Sequence, residues 1–242
     1  MSRTTNGRGR GINQSTISII RKKQKVGTEY YCGMDAIHQL GVDIPNRQLY
    51  IHGIPIGITT ADEAGFEPGI EYTMANGIIK NLQLLLQQSA TEPVVVHLHT
   101  CGGMWEEGMA IYDNIRAMPF PVAIVNHTHA RSMSSIVLQA GDRRIMMPHS
   151  HVLIHHGEMG VVAPHNVFYS TADYYRQTEK IMIDIYVEKV KQSKKFAGVS
   201  EKTIYKKLKR LMDIKGDVFF TAKEAVKWGF ADAIFTSWDE LF

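Results

Sequence analysis

Ser132, His155 and Asp217 stand in that chain order at boundaries between apolar segments. Ser132 lies in Ala130-Arg131-Ser132-Met133-Ser134-Ser135, His155 closes Ser150-His151-Val152-Leu153-Ile154-His155, and Asp217 opens Asp217-Val218-Phe219-Phe220-Thr221. A hydroxyl is a poor nucleophile at neutral pH and needs a neighbouring base, which in turn needs a third group to hold its tautomer. A serine, a histidine and an aspartate supply those roles, although their order here differs from the familiar orders of such triads. Three residues of common type mean little alone, so the segments that carry them decide.

Val94–His99 reads as a short β-branched strand running into Thr100-Cys101-Gly102-Gly103, with a helix over Met104–Ala117 after it. A double glycine between strand and helix leaves backbone amides bare and lets another chain approach, which suits an oxyanion. Val122–Asn126 is a second strand. Met133–Ala140 is a helix stopped by Gly141, which puts Ser132 at a helix N-terminus, where a developing negative charge is favoured. Ser134 and Ser135 fall inside that helix and read as packing or capping hydroxyls.

The rest of the chain continues the alternation. Leu49–Ile51 is a strand ended by His52-Gly53, Ile70–Gln88 a helix with Ile78, Leu82, Leu85 and Leu86 on one face, and Arg143–Met147 and Val152–Ile154 two further strands. Asn166–Lys195 carries Phe168, Ala172, Tyr175, Met182 and Ile185 on one side of a long helix, and Ser200–Met212 forms a shorter one. Thr221 and Glu224 make a capping box, and Gly229 stops the helix they start. Strands alternating with helices predict an α/β fold with a parallel sheet covered by helices. Residues 1–16 read as a disordered basic tail and 17–242 as a single domain, irregular up to Gln48 apart from a helical turn or two over Asp35–Leu40. Ile54–Gly69 reads as a surface insertion.

On these residues the sequence resembles the Clp protease proteolytic subunit family. The resemblance rests on Gly102-Gly103 followed by Gly108–Asp113, Ser132-Met133, Ala140-Gly141, Pro148 with Ser150, Val152 with Ile154-His155, and Ala222 with Glu224-Ala225-Val226, and it spans residues 47–235. It implies a crotonase-like α/β subunit of repeated ββα units with a protruding long helix, assembled into rings around a proteolytic chamber. It further implies Ser132 as nucleophile, His155 as general base, Asp217 as the group orienting it, and the amides of Gly103 and Met133 as the oxyanion hole, with no metal and no cofactor. The partners implied are peptide or unfolded-protein substrates, further copies of the chain and an AAA+ unfoldase. The sequence departs from the family at Cys101, where a proline is usual, at Ser134, where glycine is usual, and at Arg131, where a small residue is usual. The stretch between His155 and Asp217 is also longer than usual, which makes Asp213 the alternative acid.

Composition bounds the remaining readings. At 242 residues, 44% hydrophobic and 21% charged, the chain suits one globular domain, and no apolar run approaches the roughly 18 residues of a membrane span. Cys32 and Cys101 offer no disulfide framework, which favours a reducing compartment such as the cytoplasm and leaves an organellar or viral setting open. Residues 1–27 hold seven of the 27 basic residues and none of the 24 acidic ones, so the rest of the chain nets −4 against +3 overall. No aromatic residue interleaves those bases before Tyr30, which argues against a nucleic-acid arm. The eleven histidines, notably the pairs His97/His99, His149/His151 and His155/His156, raise a metalloenzyme, but neither HExxH nor zinc-type Cys/His spacing occurs. An acyl-CoA-processing crotonase relative would work through acidic residues, and a degenerate ring subunit would have lost the triad. Peptide hydrolysis is the favoured expectation.

Overall fold

The computed structural model describes residues 36–52 and 69–241. The expected basic tail, residues 1–16, lies outside them, as does the expected insertion Ile54–Gly69 apart from its last residue. In chain order the elements are β1 (Val42–Asp43), β2 (Gln48–His52), α1 (Tyr72–Gln88), β3 (Val94–Thr100), α2 (Trp105–Ala117), β4 (Val122–Arg131), α3 (Met133–Leu138) and β5 (Arg143–Met146). They continue with β6 (His151–Ile154), α4 (His165–Val190), α5 (Glu201–Lys215), β7 (Val218–Thr221), α6 (Ala222–Trp228) and β8 (Ala233–Ile234). A single π-helical turn, Ala36–Leu40, precedes β1 within the span where a helical turn is expected.

The sheet runs β1-β2-β3-β4-β5-β8, parallel from β2 onwards, with β1 antiparallel at its edge. Its strands alternate with helices as a parallel sheet requires, because each crossover needs an element long enough to return the chain to the same end. The core joins the sheet to α1 to α3, with Ile78, Leu82 and Leu85 of α1 and Ile111 and Ile115 of α2 in one cluster with Val94, Val96, Leu98 and Ile124, and it continues into α4 and α5 through Ile183, Tyr186, Ile204 and Leu208. Arg47 is buried and donates to the carbonyls of Leu85, Ser89, Glu92 and Pro93, pinning the end of α1 to the strand that follows. Arg144 does the same for the C-terminal part, pairing with Asp232 and donating to the Gly229 carbonyl.

Two elements depart furthest from their expected bounds. Strand β4 does not stop at Asn126 but runs to Arg131, because it changes partners: Ala123–Asn126 pair with β5 and His129–Arg131 with β6. Asn126 sits buried at this fork and donates to the His151 carbonyl at 3.0 Å. Helix α4 ends at Val190 rather than at Lys195. There the Ser193 hydroxyl donates back to the Val190 carbonyl at 2.7 Å, and a short 3-10 turn, Lys194–Phe196, inserts Phe196 against Trp228. The capping box of Thr221 and Glu224 forms as expected, and Gly229 closes α6 in the left-handed region at φ 89°.

Candidate active site

The fork in β4 is what builds the site. Beyond it the upper half of β4 lies beside β6 in parallel register, Arg131 opposite Leu153, and β6 lies antiparallel to β7 with Ile154 opposite Val218. One step past the end of each strand come Ser132, His155 and Asp217, so three adjacent strand ends deliver the three side chains to one place. His155 Nε2 lies 2.7 Å from Ser132 Oγ and His155 Nδ1 lies 3.2 Å from Asp217 Oδ1. The three residues singled out in the sequence are thus brought together. His155 is largely covered, whereas the Asp217 side chain keeps 56% of its exposure.

Ser132 adopts φ 50° and ψ −126°, one of two non-glycine residues with positive φ among those described. Such a conformation costs of order 1–3 kcal/mol and persists only where its surroundings hold it. Several bonds do. The Ser132 amide donates to the Leu153 carbonyl at 3.1 Å, and the Ser132 carbonyl accepts from both the amide (3.0 Å) and the hydroxyl (2.6 Å) of Ser135. The single Ser135 hydroxyl proton is spent there, so Ser135 Oγ accepts from the Tyr186 hydroxyl at 2.6 Å. Tyr186 is fully buried, and burial pushes its phenol above the ordinary range. Ser135 is therefore a brace under the sharp turn, and Ser134 a buried hydroxyl without a hydrogen-bond partner.

The double-glycine turn packs directly on this elbow. Gly102 has φ 106°, and a Cβ there would lie 2.7 Å from the Arg131 carbonyl oxygen and 2.9 Å from the Met133 amide nitrogen. Gly103 bridges to Ile70, and a Cβ on it would lie 2.2 Å from the Ile70 carbonyl oxygen. Met133 is the first residue of α3, so its amide has no intrahelical acceptor. Its side chain is buried against Gly108, where a Cβ would come within 2.1 Å of Met133 Cγ. Arg131, the residue before the serine, turns to the other side of β4 and donates from Nε to His151 Nε2 at 2.9 Å. Accepting that bond requires a neutral imidazole, and burial, helped by the Arg131 and His129 charges, holds His151 below its usual range.

Asp213, the alternative acid, is not on His155. It lies on His156, Oδ1 at 3.0 Å from Nε2. The histidine pairs of the sequence also separate: His97 bonds across the sheet to His127, Nδ1 to Nε2 at 2.8 Å, and stacks on Tyr50, while His155 and His156 face different carboxylates. His97 and His127 line a cavity of about 560 Å³ with Tyr50, His52, His99 and Trp238. Among the described residues no group of three or more His, Cys, Asp and Glu side chains is placed to hold a metal ion. Among them, too, no helix is long and apolar enough to cross a membrane.

Residues 64–238 match the family described as Clp protease, which is well over half of the chain. The chain belongs to the Clp protease family. It is similar to an ATP-dependent Clp protease proteolytic subunit of Deinococcus radiodurans, 30% identical over 173 residues that cover 68% of this chain and 76% of the relative. A second relative, proteolytic subunit 2 of Mycolicibacterium paratuberculosis, is 31% identical over 165 residues, covering 67% and 76% of the two chains. A third, subunit 1 of Corynebacterium jeikeium, is 27% identical over 170 residues, or 69% and 84%. The Clp protease match takes in all three strand ends that carry Ser132, His155 and Asp217, together with the double-glycine turn, and the mixed α/β architecture with its mostly parallel sheet agrees with that family. Sequence reasoning missed the His97–His127 pair and the carboxylate partners of His156. The alternation of His97 and His99 on one strand and of His127 and His129 on another was the signal available for the first.

Proposed function

We propose that the chain is a serine endopeptidase that cuts peptides or unfolded protein inside a ring of its own copies. The observation that carries this reading is the contact of Ser132 Oγ with His155 Nε2 at 2.7 Å, on a serine held at positive φ at the mouth of a helix. In the proposed cycle His155 Nε2 takes the hydroxyl proton as Oγ attacks the scissile carbonyl carbon, and returns it to the departing amine. Asp217 holds the Nδ1–H and stabilises the imidazolium formed during attack. The amides of Gly103 and Met133 receive the oxyanion, with the start of α3 adding its partial positive charge. Water then repeats the sequence on the acyl-enzyme. Relatives named as subunits of ATP-dependent Clp proteases support an unfoldase partner that feeds the chamber.

Fluorophosphonate labelling with peptide mapping tests the reading. The label is expected on Ser132, and Ser132→Ala is expected to lose both labelling and peptide hydrolysis by on the order of 10⁴- to 10⁶-fold, with EDTA leaving wild-type hydrolysis unchanged. Retained hydrolysis in Ser132→Ala would overturn it.

A further inference from the structure

Helix α3 begins on a peptide unit with two duties. The Ser132 carbonyl and the Met133 N–H belong to the same peptide, and a trans peptide points them in opposite directions, so whatever fixes the one aims the other. The Met133 N–H is the proposed oxyanion donor. From the far side the carbonyl is held by Ser135, whose amide donates at 3.0 Å and whose hydroxyl donates at 2.6 Å. Behind Ser135 lies Tyr186 of α4, hydroxyl to hydroxyl at 2.6 Å. We infer, on the serine-peptidase reading above, that Ser135 and Tyr186 are positioning residues that aim and strengthen the Met133 N–H as a donor to the oxyanion.

Ser132 does not do this for itself. A serine just before a helix commonly bonds the first amides with its side chain, but the Ser132 hydroxyl lies on His155 and makes no capping bond. Its ψ of −126° belongs to a sparsely populated conformation, so the peptide that follows keeps its direction only while its carbonyl is tethered. A helical serine can turn its hydroxyl onto the carbonyl three or four residues back, which for Ser135 means Ser132 or Arg131. Tyr186 removes that choice. Its phenol donates to Ser135 Oγ, pins the oxygen in place and leaves the single Ser135 proton aimed at Ser132. Gln139 anchors Ser135 from its other end, Nε2 donating to the Ser135 carbonyl at 3.0 Å while Oε1 accepts from Arg144 at 2.6 Å.

The setting makes the relay effective. Ser135 and Tyr186 are buried, and the Tyr186 ring packs edge-to-face on Phe230 at 5.5 Å. Burial pushes the phenol above its ordinary range, so its O–H is kept. Hydrogen bonds in series polarise one another in such dry surroundings, and an amide that accepts at oxygen donates better at nitrogen. The oxyanion exists in the transition state and not in bound substrate, so loss of the relay falls on kcat and on transition-state mimics while KM stays.

The experiment compares Tyr186→Phe, Ser135→Ala and the double variant, each as the assembled protein. It measures kcat and KM for a fluorogenic peptide, and inhibition by a peptide boronic acid, whose boron takes the Ser132 oxygen and becomes a tetrahedral anion. The same peptide as a C-terminal amide, which forms no such anion, is the control. Tyr186→Phe keeps the ring and its packing, and should lower kcat roughly threefold to thirtyfold and weaken the boronate by the same factor, with KM and amide binding within about twofold of wild type. Ser135→Ala should cost roughly tenfold to a hundredfold in kcat. The double variant should match Ser135→Ala within about twofold, because Tyr186 acts only through Ser135; should Ser135→Ala fail to fold around its orphaned phenol, Tyr186→Phe with the boronate decides alone. The relay is overturned by an unchanged kcat in Tyr186→Phe, by a fall in kcat with the boronate constant unmoved, or by single losses that multiply in the double variant. Fluorophosphonate labelling of wild-type Ser132 separates the two failures: with labelling, those results remove only the roles of Ser135 and Tyr186, whereas no labelling removes the serine reading beneath them.

Discussion

Asp217 in the candidate site and His97 in the separate histidine-lined cavity sit in contrasting solvent, and this sets what each substitution does. Asp217 is half exposed, so its bond to His155 stabilises the fold little, an exposed pair being worth about 0–1 kcal/mol. Its proposed value lies in fixing the imidazole tautomer, and Asp217→Asn is expected to lower kcat by roughly 10²- to 10⁴-fold with an unchanged melting temperature. Asp213→Asn, which touches His156 and not His155, should fall far less; the reverse order would reassign the acid. His97 is the opposite case. It is buried, and burial with the neighbouring His127 charge lowers it from 6.5 to about 4. The unfolded chain therefore binds this proton between about pH 6.5 and 4 while the folded chain does not, so stability is full above that window and is lost as pH falls through it. The shift amounts to about 3 kcal/mol. Urea midpoints at pH 7.5 and 5 should show the loss, and His97→Tyr should diminish it.

At the scale of elements, the turns decide more than the strands. Gly102 and Gly103 do not merely join β3 to α2; they are the surface on which the serine elbow rests, and Gly102→Ala would drive a Cβ into backbone atoms of Arg131 and Met133 that have no way to retreat. Activity should be lost and stability should fall by about 1–3 kcal/mol, as fluorophosphonate labelling and thermal unfolding would record. Gly77→Ala in α1, where nothing lies within 4 Å of the new methyl, should be neutral or stabilising by up to about 1 kcal/mol. This contrast also marks what was legible in the sequence. Helix α1, the capping box at Thr221 and the strands β3, β5 and β6 follow from local apolar spacing and local hydrogen bonds, which a sequence displays. The extension of β4 to Arg131, the positive φ of Ser132 and the partners of His156 depend on which distant strand or helix arrives alongside, and no local pattern encodes that. Ser132, His155 and Asp217 were legible because strand and helix boundaries flank them; the Arg131–His151 bond was not, since it forms between residues twenty apart on adjacent strands.

At the scale of the whole molecule, α4 is two helices in function. Its second half is largely core, with Met182, Ile183, Tyr186 and Val190 buried, while its first half leaves Phe168 and Tyr169 about half exposed together with Tyr174 and Tyr175. The sequence placed Phe168, Tyr175, Met182 and Ile185 on one apolar side, and the fold splits that side: the last two are covered by this chain and the first two are not. An aromatic cluster of this size left in water is the kind of patch that marks a contact with another chain, and in the proposed ring assembly it would be covered by further copies. Tyr174 is already tied to α2 through Glu106, its hydroxyl donating at 2.9 Å, so Phe168 and Tyr169 are the side chains to test. Phe168→Asp with Tyr169→Asp should leave the monomer fold intact by circular dichroism, because neither ring belongs to the core. It should shift the sedimentation coefficient to smaller species, since losing a buried aromatic costs about 3–5 kcal/mol and a carboxylate in its place adds desolvation. Ser132→Ala should sediment as wild type does. A wild-type protein that is monomeric at micromolar concentration, or a double variant that assembles unchanged, would mean that this half of α4 is not where the copies meet.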